Sequence, residues 1–500
     1  MSPPTAALPP TAASRSLRLR LVTVVPFVLP DSAIETLDRY LAQGGGEGLR
    51  AARALGATGT VEEIQASGLR GRGGAGFPTG AKWASVRDAS GGRHFVVANG
   101  AEGEPATFKD RLLMRRDPYR IIEGTAIAAL AVGATEAYVA TKRVYEREAA
   151  NLKRAAIELG EAGLLGGLTI TIVEGPEEYL LGEEKALLEV IEGRDPLPRL
   201  LPPYQHGLFA TVPMGWESGA SPTRGSGPLG PGSRWLPGGS SAQAAESNPT
   251  LVNNVETLAA AAHILAKGAS WYRTAGTVNS PGTIIATVVG DVSRPGVHEV
   301  ELGTTFNELL ELCGGPRLGR RFRGALSGVS NPVLTADNFD VPLTYEDMAA
   351  RGSGLGAAGF VVYDDTADMV SVAREVSRFL AVESCGQCPP CKTGCMTITE
   401  HLLAIEQEQG SDDDLGAISA SLRTVTDSNR CYVGTEEQVV ISSLLRAFPE
   451  DFAARLEHRG GPLRPALIPL VKDIDDDGNV TYDERHIHKL PDWTYDDAAR

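Results

Sequence analysis

Five of the six cysteines lie between positions 385 and 431, and four of them stand in one short run. The run reads Cys385-Gly-Gln-Cys388-Pro-Pro-Cys391-Lys-Thr-Gly-Cys395. Thiolates at the spacing of the first three cysteines can bind three irons of a cubane from one loop, and Cys431 downstream can bind the fourth. The run therefore predicts an iron–sulfur cluster, a group that moves single electrons.

Two other kinds of site use cysteines at short spacing. Zinc sites usually combine two separated pairs of ligands, and the run has no separate second pair. Disulfides need an oxidising compartment, and we expect no secretory signal peptide at the N-terminus. The spacing therefore favours an iron–sulfur cluster over both alternatives.

The fourth iron has two candidate ligands. Cys395 completes the ferredoxin spacing, but in two-cluster ferredoxins the fourth cysteine binds the other cluster, and this chain has no second triplet. Met396 also stands where proline usually follows that cysteine. We therefore expect Cys395 to be a bystander on a helix. The expected ligands are Cys385, Cys388, Cys391 and Cys431.

Composition limits the classes of function. The 500 residues leave room for about three or four domains. A net charge of −16 argues against nucleic acid as a partner, because phosphate binding needs clustered lysine and arginine. No apolar run approaches transmembrane length, and the N-terminal run Leu21–Leu29, interrupted by Pro26, predicts a strand. The expected compartment is the cytoplasm, where thiols stay reduced for cluster assembly.

Helical and strand patterns alternate through the first half of the chain, which indicates an α/β fold around a parallel sheet. Helices are predicted near 31–42, 61–69, 121–132 and 145–159, and strands near 95–98, 137–140 and 168–173. We expect a flexible N-terminus with a first strand at 1–30, followed by an α/β domain at 31–265 that contains a Gly/Ser/Pro-rich insertion at 215–247. A small β-grasp-like (ubiquitin-like) domain is expected at 282–365. A helical bundle at 370–460 would carry the cluster at the N-terminal end of one helix, and an acidic tail would follow at 461–500.

The acidic tail admits two interpretations. The segment from Asp473 to Glu484 fits the EF-hand loop expression. An EF-hand needs a helix on each side, yet Pro465 and Pro469 stand where the entering helix would be. The alternative is a β-hairpin around an Asp-Gly turn. We expect the hairpin and assign no metal to it.

A second strong signal is the glycine-dense segment Gly71-Arg-Gly-Gly-Ala-Gly-Phe-Pro-Thr-Gly80. Glycines let the backbone approach a phosphate or a flat ring closely, and their free N–H groups can form an anion nest. The segment lacks the lysine and serine of a P-loop, and a helical pattern precedes it rather than a strand. Alone, such a loop is more often a structural turn than a nucleotide site.

Three further segments accompany this loop, namely Asn99-Gly-Ala-Glu-Gly-Glu-Pro-Ala-Thr-Phe-Lys-Asp-Arg111, Tyr179-Leu-Leu-Gly-Glu-Glu184 and Asn253-Asn-Val-Glu-Thr257. With them, the chain resembles the NADH-oxidising flavoprotein (F or 51-kDa) subunit of respiratory complex I and the related subunits of soluble hydrogenases and formate dehydrogenases. The resemblance covers roughly residues 64–457, with the motifs in the family's order. It implies a Rossmann-like FMN/NADH domain, a β-grasp domain and a helical bundle with a [4Fe–4S] cluster.

The resemblance also implies a set of site residues. The FMN pocket would be formed by Gly71, Gly73, Lys82, Asn99, Glu102, Gly182, Glu183, Asn253, Asn254 and Thr257. The nicotinamide nucleotide would stack over the flavin near two carboxylates, Glu104 and Glu184, and three aromatic rings, Phe77, Tyr179 and Tyr204. The resemblance implies that Glu104 and Glu184 are the catalytic residues. Asparagine and lysine suit a flavin edge and phosphate, aromatic faces suit an adenine, and carboxylates accept bonds from a carboxamide or ribose.

The implied activity is hydride transfer from NADH to FMN, followed by single-electron transfer through the cluster to a partner redox subunit. The expected partner is a thioredoxin-like [2Fe–2S] subunit or a further iron–sulfur protein, which would also hold the chain at the cytoplasmic face of the inner membrane. Reverse flow, in which the chain reduces NAD+ within a hydrogenase or formate dehydrogenase complex, stays open.

Three positions depart from the family pattern and indicate a divergent member. Ala101 replaces an aspartate, Ser85 replaces a phenylalanine, and Leu181 replaces a cysteine common before Gly-Glu-Glu. Ala101 and Ser85 leave open a third interpretation, a non-catalytic scaffold that keeps the cluster but has lost nucleotide binding.

Overall fold

The computed structural model describes residues 27–212, 246–475 and 478–496. The first unit has a four-stranded, fully parallel sheet of order β3-β2-β1-β4. Its strands are β1 (Phe95–Asn99), β2 (Glu136–Lys142), β3 (Thr169–Gly175) and β4 (Thr250–Asn254). The strand order reverses between β1 and β4, because β2 and β3 extend the sheet to one side of β1 and β4 returns on the other. This confirms the predicted α/β fold around a parallel sheet.

Nine helices of the described chain surround this sheet. They are α1 (Leu37–Ala42), α2 (Glu47–Ser67), α3 (Thr79–Arg87), α4 (Lys109–Arg116), α5 (Pro118–Val132), α6 (Glu146–Glu161), α7 (Glu184–Ile191), α8 (Val255–Lys267) and α9 (Ala269–Tyr272). Helix α5 begins where the Asp117 side chain accepts a hydrogen bond from Arg120 N at 3.0 Å, with Pro118 at the first helical position. Small residues on α5 let it approach α8 closely, and Gly124 lies against the backbone of Leu258.

Two predicted helix starts near the N-terminus are wrong. Helix α1 begins at Leu37 rather than at position 31, because the Thr36 side chain caps it by accepting a hydrogen bond from Arg39 N. Helix α2 begins at Glu47 rather than at 61, and a break at Gly56, with φ of 69°, separates its two segments. The predicted helix near 61–69 corresponds to the second segment.

The predicted first strand, Leu21–Leu29, lies mostly outside the described residues. Its last three residues, 27–29, form no strand. Their backbone N–H groups donate instead to the carboxylate of Glu299, with Leu29 N at 2.9 Å from Oε2. Of the predicted insertion at 215–247, only residues 246–247 are described.

The second unit is a mixed sheet of order β6-β5-β9-β7-β8. Its elements are β5 (Thr283–Gly290), β6 (Gly296–Glu301), α10 (Phe306–Leu312), β7 (Phe322–Ser327), β8 (Leu334–Thr335), α11 (Tyr345–Ala350) and β9 (Gly359–Asp364). Thr305 and Glu308 form a capping box at the start of α10. Phe306 packs its ring against Phe360 of the sheet, with centroids 4.9 Å apart. A helix packed on a mixed sheet is the arrangement predicted for the β-grasp-like domain.

The third unit is a helical bundle. Its helices are α12 (Met369–Glu383), α13 (Pro389–Glu406), α14 (Asp412–Thr424), α15 (Val433–Ala447) and α16 (Pro449–Leu456). Cys388 is the residue before α13, and Cys391 lies in its first turn. This confirms that the cysteine run stands at the N-terminal end of a bundle helix. Among the described residues, no helix has the length and apolar character needed to span a bilayer.

The tail forms the predicted hairpin. Strands β10 (Val471–Ile474) and β11 (Val480–Tyr482) pair antiparallel, while residues 476–477 lie outside the described chain. The tail contacts both large units, because Arg111 Nη1 donates to Val471 O at 2.6 Å and Lys489 Nζ lies 2.7 Å from Glu383 Oε1 in α12. The tail therefore links the α/β unit to the bundle.

The close approach of α5 and α8 gives a stability prediction. A Cβ added at Gly124 would lie 2.0 Å from Leu258 O, so Gly124→Ala should lower the free energy of unfolding by about 1–3 kcal/mol through overpacking. The matched control is Gly416→Ala on the exposed face of helix α14, where a Cβ meets nothing within 4 Å. That change should raise stability by about 0.5–1 kcal/mol. Denaturant unfolding measures both, and equal effects of the two changes would contradict the packing account.

Candidate functional site

The carboxyl ends of β1 and β4 place three asparagines together. Ala98 pairs with Asn253 and Asn99 pairs with Asn254, so these side chains share one edge of the sheet. In open α/β sheets, ligands bind in the crevice at the carboxyl ends of the strands where the strand order reverses. Asn99 Nδ2 donates to Gly182 O at 2.8 Å, which brings the Tyr179–Glu184 segment to the same crevice.

The glycine-dense loop lies beside these strand ends. Gly71 N donates to Phe77 O at 2.9 Å, which closes the loop on itself. Gly76 has φ of 60°, and a Cβ there would lie 2.3 Å from the ring of Tyr345. A Cβ at Gly73 would lie 3.3 Å from Asn254 Cβ, so the loop backbone approaches the crevice closely. The absence of side chains at these positions lets the loop backbone pack closely against Tyr345 and Asn254.

A buried network of charges fixes the floor of the crevice. Lys109 Nζ lies 2.7 Å from Asp110 Oδ1 and 2.8 Å from Glu256 Oε2. Arg72 Nε lies 3.8 Å from the other oxygen of Glu256, and Ile285 N donates to that oxygen at 3.0 Å. Sequence reasoning did not assign this role to Arg72, Lys109 or Glu256, although all three stand within the quoted motifs.

The pKa values in this network follow from burial and from the neighbouring charges. Burial raises the pKa of Asp110 to about 6, although Lys109 lowers it, and the carboxylates of Glu102 and Glu256 raise it further. Burial lowers the pKa of Lys109, but Asp110 and Glu256 outweigh that effect and the net shift is upward. The ammonium group therefore stays charged in the protein interior.

The polar side chains at the start of α8 are engaged within the protein. Asn254 caps α8 by accepting a bond from Glu256 N at 2.9 Å and donates to Asp110 Oδ2 at 2.7 Å. Arg72 N donates to Thr257 Oγ1 at 2.9 Å. Asn253 Oδ1 accepts a bond from Trp83 Nε1 at 2.8 Å. These bonds orient the predicted flavin-binding residues and tie them to the loop.

Lys82 and Glu184 form an ion pair. Their side chains are 26% and 42% exposed, so the pair is accessible to a ligand. Phe77 and Tyr204 are also largely exposed, at 57% and 47%. Exposed aromatic faces and an accessible ion pair are chemically suited to a charged molecule with planar rings.

Three of the carboxylates predicted to lie at the site, Glu102, Glu183 and Glu104, are less exposed than Glu184. Glu102 is buried, and its Oε2 accepts a bond from Arg111 Nε at 2.8 Å. Glu183 caps α7 by accepting bonds from the backbone N–H groups of Lys185 and Ala186, and burial raises its pKa to about 7. Glu104 Oε1 accepts a bond from Val329 N at 2.7 Å, and its other oxygen accepts one from the Tyr179 hydroxyl at 2.6 Å.

The four predicted cluster ligands come from two segments. Cys385, Cys388 and Cys391 lie at the start of α13, and Cys431 lies just before α15. Burial raises the pKa of Cys431, and the charges of Glu183, Cys385 and Cys391 raise it further, so these thiols share one environment. Among the described residues, no three Cys, His, Asp or Glu side chains are arranged to bind a single metal ion. A cubane is held by four cysteine thiolates, and the assignment of Cys385, Cys388, Cys391 and Cys431 to it stays a prediction.

Cys395 is completely buried one turn after Cys391. Hydrogen bonding with the Cys391 thiol and burial both raise its pKa, and the nearby Glu437 adds to this shift. Its backbone oxygen accepts a bond from Thr399 Oγ1 at 2.8 Å. Cys395 therefore lies within the packed interior of the bundle.

The three departures from the family pattern have different surroundings. Ala101 and Leu181 are both buried and belong to one apolar cluster with Phe95 and Leu187. Ser85 lies on the exposed side of α3. Two of the three substitutions thus fall in the same packed region, behind Gly182.

Comparison with known proteins agrees with this arrangement. Residues 64–263 match the Nuo51 FMN-binding domain, residues 371–455 match the NADH-ubiquinone oxidoreductase-F iron-sulfur binding region, and residues 285–330 match the SLBB domain. The chain is 35% identical over 449 residues to one F subunit (number 2) of NADH-quinone oxidoreductase from Rhizobium meliloti, covering 87% of this chain and 97% of that relative. It is 35% identical over 442 residues to the F subunit of NADH-quinone oxidoreductase from Streptomyces coelicolor, covering 86% and 90%.

Hydrogenase subunits are also similar. The chain is 35% identical over 420 residues to the alpha subunit of NAD-reducing hydrogenase HoxS from Cupriavidus necator, covering 81% of this chain and 62% of that one. A crystal structure of an NAD+-reducing [NiFe]-hydrogenase in the H2-reduced state superposes with a TM-score of 0.69 at 28% identity, covering 87% of this chain and 67% of that one. Together with the crevice and the cysteine cluster, these similarities show that the chain belongs to the family of F (51-kDa) flavoprotein subunits, whose FMN-binding and iron–sulfur-binding regions it carries.

Proposed function

We propose that the chain is the electron-input subunit of a larger redox complex, oxidising NADH at the β1–β4 crevice and passing single electrons to the cysteine cluster. The observation that supports this most directly is a shared wall between the two sites. Glu183, at the crevice, lies close enough to Cys431 to raise the pKa of that thiol. Lys185, two residues after Glu183, donates a hydrogen bond from Nζ to Arg430 O, which is next to Cys431. The start of α7 therefore contacts both sites.

The proposed FMN site uses the backbone and polar groups of the crevice. Bound FMN accepts a hydride from NADH and returns its two electrons one at a time, which a cluster can carry. The N–H groups of the glycine loop and the Lys82 ammonium group supply positive potential for the phosphate. The residues that would hold FMN are Gly71, Gly73, Lys82, Asn99, Glu102, Gly182, Glu183, Asn253, Asn254 and Thr257.

The proposed nucleotide site lies on the open side of the crevice. Phe77 and Tyr204 offer aromatic faces, and Glu184 offers a carboxylate once its pair with Lys82 opens. Because an exposed pair of this kind contributes only about 0–1 kcal/mol, a ligand can separate it at low cost. Glu104 and Tyr179 would close the inner side.

The partner and the compartment follow from the chemistry. Electrons that reach the cluster would leave to another redox subunit. We propose a thioredoxin-like [2Fe–2S] subunit or a further iron–sulfur protein as that acceptor. The site of action would be the cytoplasm, where the six thiols, all free in the structure, stay reduced. Contact with a membrane would come through partner subunits.

A second candidate function is electron flow in the opposite direction, from a partner subunit to NAD+. The similarity to an NAD+-reducing hydrogenase favours it, since the fold superposes on that class and the sequence is similar to a hydrogenase subunit. The same residues would then deliver a hydride to NAD+. Identification of the subunits that co-purify with the chain separates the two, because a hydrogenase or formate dehydrogenase partner supplies electrons and a quinone-reducing partner removes them.

The ligand assignment gives one prediction. Cys395→Ser should keep the cluster, whereas Cys431→Ser should lose it, because only Cys431 is proposed to bind iron. Iron content and EPR of the reduced protein measure this. If Cys395→Ser loses the cluster and Cys431→Ser retains it, the assignment is wrong.

The assignment of the nucleotide-binding residues gives a second prediction. Glu184→Ala should weaken NADH binding by roughly 10- to 100-fold, the usual effect of losing one charged hydrogen bond, while FMN stays bound. Lys82→Ala should instead impair FMN retention. Stopped-flow flavin reduction gives the NADH affinity, and the flavin spectrum gives the FMN content.

The matched control is Glu161→Ala, which removes a carboxylate from the exposed end of α6. It should change neither quantity. An unchanged NADH affinity in Glu184→Ala would remove Glu184 from the site, whereas loss of FMN in that variant would make it a flavin-holding residue.

A further inference from the structure

A tyrosine of the second unit lies against the glycine loop that begins at Gly71. Tyr345 is the first residue of α11, which begins there because the Thr344 side chain accepts a hydrogen bond from Asp347 N at 2.9 Å. The Tyr345 hydroxyl donates to Gly71 O at 2.9 Å. Its ring lies where a side chain at Gly76 would otherwise be, since a Cβ there would be 2.3 Å from the ring. One side chain therefore contacts the loop at both glycines.

Two arginines on either side of Gly71 bind the same tyrosine. The guanidinium carbon of Arg70 lies 4.0 Å from the centroid of the Tyr345 ring, a distance at which a cation is attracted to an aromatic face. Arg72 Nη1 donates to the Tyr345 hydroxyl at 3.0 Å. Because a guanidinium group can only donate, the hydroxyl accepts from Arg72 and keeps its single proton for Gly71 O. Both hydrogen bonds of the hydroxyl therefore go to the loop.

The glycine loop is held from two directions. Four of the six residues at 71–76 are glycine, the residue that loses the most backbone freedom on folding, so the loop needs contacts that fix it. On the crevice side, Arg72 N donates to Thr257 Oγ1 at 2.9 Å. A Cβ at Gly73 would lie 3.3 Å from Asn254 Cβ, which is a second contact with the crevice. The tyrosine adds the contacts that come from the second unit.

We propose that Tyr345 is a positioning residue for FMN, which holds the backbone N–H groups of the glycine loop in the arrangement that receives the flavin phosphate. This role rests on the proposed function, because it takes the β1–β4 crevice beside the loop as the FMN site. Tyr345 lies outside the three regions that match family models, which are 64–263, 285–330 and 371–455. The second unit thereby contributes to flavin binding through the loop.

The physical reason is preorganisation. A loop that already has its bound arrangement loses less conformational freedom when a ligand binds. Tyr345→Phe keeps the ring but removes the bonds with Gly71 and Arg72, so the loop samples more arrangements in the flavin-free protein. The dissociation constant for FMN should rise by roughly 3- to 10-fold, on the scale of one hydrogen bond. Tyr345→Leu also removes the aromatic face under Arg70, and its FMN binding should weaken by roughly 10- to 100-fold.

The test measures FMN binding to the full-length protein after removal of the flavin, with the cluster retained. Quenching of FMN fluorescence gives the dissociation constant, and hydrogen–deuterium exchange of the flavin-free protein gives the protection of residues 71–80. Tyr345→Phe should weaken FMN binding and speed exchange in this loop, while exchange in the helical bundle stays as in the wild type. Saturating FMN should restore the protection of the loop, which it would not do for a protein that is destabilised throughout.

The matched control is Tyr363→Phe in β9 of the same unit. The Tyr363 hydroxyl is buried and has no hydrogen-bond partner among the described residues. Removing it is the same chemical change at a position that does not touch the glycine loop. This variant should keep the wild-type dissociation constant for FMN and the wild-type exchange of residues 71–80.

An unchanged FMN dissociation constant in Tyr345→Phe overturns the inference, and this variant suffices where Tyr345→Leu fails to fold. Equal weakening in Tyr345→Phe and Tyr363→Phe also overturns it, because a general loosening of the second unit would then explain the result. A wild-type protein that binds no FMN is a different outcome, because it contradicts the proposed function as well as this role of Tyr345.

Discussion

The buried carboxylate of Glu256 is the interaction on which both the site and the domain arrangement depend. It pairs with Lys109, lies near Arg72, and accepts a bond from the backbone of Ile285 in the second unit. One side chain thus holds the glycine loop, the start of α4, the start of α8 and strand β5. Removing one partner from a buried pair of this kind typically costs about 3–5 kcal/mol, because the other charge is left uncompensated.

The rest of the fold places the β1–β4 crevice next to the Cys431 segment. The reversal of strand order between β1 and β4 creates the crevice, and α7 begins at its edge with Glu183 as cap. The Cys431 segment contacts the start of the same helix through Arg430. The tail, which lies beyond the matched family regions, then links the two units, with Arg485 bound to Glu177 and Lys489 bound to Glu383. The crevice and the Cys431 segment therefore both contact the start of α7.

The sequence predicted the features that depend on local patterns of residues. The alternation of helices and strands predicted the parallel sheet, the strand predicted near 95–98 lies within β1, and the prolines before Asp473 correctly favoured the hairpin. The predicted start of the first helix near position 31 was wrong, because Thr36 caps α1. The Glu256 network was within reach, since its members belong to the quoted motifs. The contacts of Tyr345 with Gly71 and Gly76 were not, because they join segments far apart in sequence.

The central claim is that one chain converts hydride chemistry into single-electron chemistry at two neighbouring sites. The most direct measurement is an anaerobic titration of the purified holoprotein with NADH, followed by visible absorbance and EPR on the same sample. The account predicts that flavin absorbance bleaches and that the signal of a reduced [4Fe–4S] cluster appears. A protein that binds no flavin even after reconstitution with FMN, or whose flavin stays oxidised in excess NADH, would contradict it.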